Sequence, residues 1–156
     1  MSAVRGFTLI EMLVVLTLLG ILATAAKPLA ETTLQRNQEI ALREALRSLR
    51  GAIDAYRLAV GEGRIARTID DSGYPPSLET LVQGVPDSKS ASGRQIYFLR
   101  RLPRDPFADA RLPAAQTWGL RSADSPPDAP RPGRDVFDVM SLSDRTARDG
   151  TLYRDW

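Results

Sequence analysis

The side chains that could do chemistry are few. The 156-residue chain has no histidine and no cysteine. The usual general base near neutral pH, the commonest transition-metal ligand and any thiol or disulfide are therefore missing. Lysine occurs only at Lys27 and Lys89, which leaves a serine–lysine pair or paired carboxylates as routes to catalysis. Neither emerges from the spacing. Gly61-Glu62-Gly63 lacks the further glycines, the lysine and the strand–helix setting of a phosphate loop. Asp70 and Asp71 are adjacent but have no acid–base partner in the pattern. Trp118 and Trp156 are of a type that more often anchors a small core than binds a ligand. No enzyme is expected. One acid is conspicuous for its surroundings instead: Glu11 sits in RGFTLIEMLVVLTLLGILATAA, a stretch otherwise almost free of charge.

An element must carry that carboxylate. Phe7–Ala26 is apolar apart from Glu11, and a helix of that length spans about 30 Å, the thickness of bilayer hydrocarbon. Three readings are open. The segment could be an uninterrupted membrane anchor, or a secretory signal cut at the small-x-small Ala23-Thr24-Ala25. The third rests on residue order: RGFTLIE resembles the type III signal of type IV pilins and type II secretion pseudopilins. That resemblance implies cleavage by prepilin peptidase between Gly6 and Phe7 and methylation of the new amino terminus at Phe7. The leader is then residues 1–6, with Arg5 keeping it cytoplasmic. Glu11 takes the position of the family's glutamate, whose implied partner is the amino terminus of a neighbouring subunit. An ionised acid at the centre of a membrane helix costs about 2.5–3.5 kcal/mol. A charge pair formed only on assembly would remove that cost and pin the register. The alternative is a Glu11 that snorkels to the headgroups.

Beyond Ala26 the helical pattern continues. Leu42, Leu46, Leu49, Ile53, Tyr56 and Val60 recur at helical steps and predict one apolar stripe. Arg36, Glu39, Arg43, Glu44, Arg47, Arg50, Asp54 and Arg57 make the other faces zwitterionic, with Glu39–Arg43 and Arg50–Asp54 spaced as surface pairs. The interleaved acids argue against a nucleic-acid track, and a net charge of +2 demands none. Gly61 and Gly63 end the helix. Pro28 removes one helical hydrogen bond and predicts a kink.

The remainder, 61–156, is rich in turn signals. GYPPSLETLVQG predicts a loop and a short helix capped by Ser77 and stopped by Gly84. AQTWGLR and DVFDVMSLS predict strands, and the proline-rich 122–134 an exposed loop. In order along the chain, GYPPSLETLV, YFLRRLPRDPF and DVFDVMSLSD…DG…DW are similar to the major, G-type pseudopilin of type II secretion. Two features depart from that pattern: the long insertion at 122–134, and SLSDRTARDG without a glycine directly after Ser-Leu. The resemblance implies that calcium holds the terminal loop in place of a disulfide. Asp144, Asp149 and the carbonyl of Leu142 would then be among its oxygen ligands. The plainer alternative is a pair of solvated turn aspartates, with Arg145 and Arg148 partly neutralising them.

The expected fold is α+β: a pilin fold whose long N-terminal helix packs on a small antiparallel sheet. Its segments are a leader (1–6), a transmembrane half (7–26), an amphipathic half (27–60) and a periplasmic head (61–156). The expected function is structural. The chain would sit once through the bacterial inner membrane and polymerise with copies of itself and other pseudopilins. It would work beside inner-membrane secretion components. A type IV or competence pilin, and a membrane-anchored DNA-binding module, are the alternatives.

Overall fold

The computed structural model describes residues 6–68 and 70–156, without the side chains of residues 23–31. The leader residues 1–5 lie outside the described residues. The chain divides into two compact units, residues 1–37 and 38–156. Helix α1, Leu9–Gly61, contributes to both.

Among the described residues of the first unit, no apolar side chain is buried. Phe7, Leu9, Ile10, Leu16, Ile21 and Leu22 are all exposed. Among the described residues no helix is long and apolar enough to cross a membrane. The exposed apolar stretch from Leu9 to Leu22 covers roughly 20 Å of helix axis. The rest of the run and the kink expected at Pro28 lie outside the described side chains.

The second unit is built on the later part of α1. Leu42, Leu46, Leu49, Ile53, Tyr56 and Val60 are all buried, as their spacing predicts. They meet Leu78, Leu81, Trp118, Val136, Val139 and Tyr153 in one core. The helix ends in a Schellman motif. Gly63 takes φ +69°, its N–H donates to Val60 O, and the Arg64 N–H donates to Ala59 O.

A short helix α2, Thr80–Gln83, follows. It starts later than a Ser77 cap would require, and the Ser77 hydroxyl instead meets the Thr80 hydroxyl at 3.3 Å. Gly84 stops it at φ +84°, where a Cβ would lie 2.7 Å from the Tyr97 ring. The expected single sheet is two antiparallel pairs among the described residues. Strand β1 (Val85–Pro86) pairs with β2 (Gln95–Ile96), and β3 (Trp118–Arg121) with β4 (Asp138–Ser141), Trp118 lying opposite Ser141. Pro86 lies within β1 and cannot donate to a ladder.

Candidate functional site

At the amino-terminal end, Gly6 and Phe7 are exposed and precede α1 without regular structure. Thr8 starts the helix. Its N–H and its hydroxyl donate to Glu11 Oε2 at 2.8 and 2.9 Å, and the Glu11 N–H returns a longer bond to the Thr8 hydroxyl. This is a capping box, in which a threonine and a glutamate three residues on satisfy the open N–H groups of the first turn. Glu11 is thus a positioned carboxylate at the head of an exposed apolar helix. Thr8 was not among the expected site residues, although Thr-x-x-Glu before an apolar run is the signal that marks it.

The second cluster lies at the other end of the sequence, wholly within residues 38–156. Strand β4 leads to an exposed Leu142. The chain then turns back, with Thr146 bridged to Leu152 and Gly150 at φ +87°. Asp149 Oδ1 accepts the Thr151 N–H at 3.0 Å and the Thr151 hydroxyl at 2.6 Å. The Trp156 indole N–H donates to that same hydroxyl oxygen at 2.7 Å. Arg43, from α1, lies 4.2 Å above the Trp156 ring and 3.6 Å from Asp149 Oδ2. These hydrogen bonds from Thr151, with Arg43 nearby, hold the Asp149 carboxyl below its ordinary pKa. Asp144 goes elsewhere, to Arg154 at 3.2 Å.

Two residues expected on a solvated helix face turn inward. Glu39 is buried, and its Oε1 accepts the Arg148 N–H and the Tyr153 hydroxyl, both at 3.0 Å. Tyr153 in turn stacks on Phe107 with ring centroids 4.0 Å apart. Arg50 donates to Asp138 Oδ1 at 2.8 Å, to Val139 O at 3.1 Å and to Trp156 O at 2.8 Å. The Leu-Pro-Arg-Asp-Pro-Phe turn has a buried anchor in Asp105. Its Oδ2 accepts the Ser141 hydroxyl at 2.5 Å and its Oδ1 the Phe107 N–H at 2.8 Å. The Trp118 indole N–H donates to Pro103 O at 2.9 Å, fastening the same turn to β3.

Calcium needs six to eight converging oxygens. Of the donors named by resemblance, Asp149 already accepts from Thr151 and Asp144 from Arg154. Asp144 and Asp149 are engaged by different arginines, and among the described residues no three acidic side chains converge.

A helix headed by a capped carboxylate and exposed apolar residues, followed by small antiparallel pairs on its later turns, defines an α+β, pilin-like subunit. Residues 1–26 match the prokaryotic N-terminal methylation motif. The type II secretion system core protein G of Klebsiella pneumoniae is 34% identical over 115 residues, which cover 69% of this chain and 71% of that protein. Its namesakes in Vibrio cholerae and Pectobacterium carotovorum are 32% and 34% identical, over 67% and 66% of this chain and 66% and 62% of their own lengths. No solved structure matches. The chain belongs to the type II secretion system core protein G family.

Proposed function

We propose that this protein is a pseudopilin: a structural subunit that polymerises into the periplasmic filament of a type II secretion system. The observation that carries the proposal is the helix whose exposed apolar residues begin directly after a capped Glu11. A helix that is apolar on all sides belongs in lipid or among other apolar helices. The inner membrane supplies the first setting and the filament core the second. In lipid, Glu11 waits with its carboxylate satisfied by Thr8. In the filament it meets the amino terminus of a neighbouring Phe7. Other pseudopilins and inner-membrane secretion components are the further partners. The arginines of α1 favour this reading over a nucleic-acid module, because Arg43, Arg50 and Arg57 engage Trp156, Asp138 and Tyr74 within the protein.

Processing tests the proposal. Intact mass spectrometry of the membrane-extracted protein should give a chain beginning at methylated Phe7, with the leader 1–6 removed by prepilin peptidase. A chain beginning at Ala26 or Lys27 would mean a conventional signal peptide and would end the pseudopilin reading.

A further inference from the structure

We propose that the terminal loop, residues 142–152, is closed by the guanidinium of Arg43 and is independent of divalent cations. The loop carries Asp144 and Asp149. Its carboxylates need positive charge or hydrogen-bond donors, and the protein supplies both from its own side chains. Thr151 saturates Asp149 Oδ1 with its N–H and its hydroxyl. Arg43 faces Asp149 Oδ2. Arg154 takes Asp144.

Arg43 suits the task for geometric reasons. It projects from α1, so its backbone is fixed independently of the loop. Its planar guanidinium lies over Trp156 while one of its nitrogens faces the carboxylate, which a lysine ammonium would not reproduce. The contacts then run in a circuit. Arg43 covers Trp156, the Trp156 N–H donates to Thr151, and Thr151 donates to Asp149, which faces Arg43 again. The loop's two own arginines add to the disfavour for a second cation. The Arg145 guanidinium is over Phe107, and Arg148 is exposed in the same loop. No carboxylate is left in a converging set of three among the described residues.

Two modes of closure respond differently to a chelator. A loop held by calcium at a hundred times its dissociation constant would open roughly a hundredfold more often once the ion is removed. A loop held by Arg43 would not respond. Its half-exposed ion pair, with side-chain exposures of 55% and 52%, would weaken with monovalent salt instead.

Limited trypsin digestion of the full chain in detergent micelles reads this directly, because Arg145 and Arg148 lie exposed in the loop. Cleavage after them tracks the population of open loop when closing is fast. Cleavage of the wild type should proceed at the same rate in chelator and in millimolar calcium. Arg43→Gln should speed it by roughly three- to thirtyfold in either buffer, the combined worth of an exposed ion pair and a cation–π contact. Arg47→Gln, one turn further along α1, should leave it unchanged. Wild-type cleavage that accelerates tenfold or more in chelator would overturn the proposal without recourse to any variant. Arg43→Gln cleavage equal to that of wild type would overturn it too.

Discussion

Under the proposed function Glu11 would answer two demands that arise at different times. In the single chain its carboxylate is satisfied locally by the N–H and hydroxyl of Thr8. Those two donors make an acid tolerable at the head of a helix whose other nearby side chains are exposed and apolar. In the proposed filament the same carboxylate would become the partner of a neighbour's amino terminus. Glu11→Val separates the two demands. It makes the segment more apolar, so recovery in the membrane fraction should equal that of wild type. It would also remove one member of the proposed intersubunit pair, so the yield of sheared filaments from cells expressing the secretion machinery should fall sharply. Equal filament yield would show that the pairing role is wrong. Arg43 makes a related point at the other end of the sequence: one guanidinium serves an aromatic ring and a carboxylate together.

At the scale of elements, α1 carries both units by changing what its faces present. Leu49 is fully buried, whereas Leu58 on the same helix is 64% exposed. Leu49→Ala should therefore cost about 2–5 kcal/mol, the transfer loss plus a cavity, while Leu58→Ala should change stability by about 0.5 kcal/mol or less. Equilibrium denaturation of the two variants in micelles checks the contrast, and equal losses would place the core stripe wrongly. This stripe was legible in the sequence because it depends on helical period alone. The strands around Trp118 and Val139 were legible from their β-favouring residues, although the expected sheet is two separate pairs among the described residues. The roles of Glu39 and Arg50 were not legible. Each sits where a helix would place a solvated charge, and its partners lie far along the chain, at Arg148 and Tyr153 for Glu39 and at Asp138 and Trp156 for Arg50. Local spacing carries no information about such pairings. Thr8 is a different case: its signal is local and was present beside Glu11.

For the whole molecule, the distribution of titratable groups sets how it meets acid. With no histidine in the chain, no side chain of ordinary pKa changes charge between about pH 5 and 8. The carboxylates that the fold perturbs are shifted in one direction. A hydrogen bond from Arg64 lowers Asp87, one from Arg111 lowers Asp109, and those from Thr151 lower Asp149, all below the ordinary value of 3.8. A carboxylate with a lower pKa in the folded state favours folding above its unfolded pKa. That contribution is lost as the pH falls through the folded pKa, because the unfolded chain then binds more protons. Protonation of the 19 acidic residues also leaves the 21 basic ones unopposed, so self-repulsion acts in the same direction. The melting temperature of the full chain in micelles should therefore hold level from pH 8 to about pH 5 and fall steeply below about pH 4. Asp149→Asn should make the acid limb shallower, because one of the shifted carboxylates is gone. A melting temperature that already declines between pH 8 and 5 would require a shifted group elsewhere, and would show that these aspartates do not govern the response.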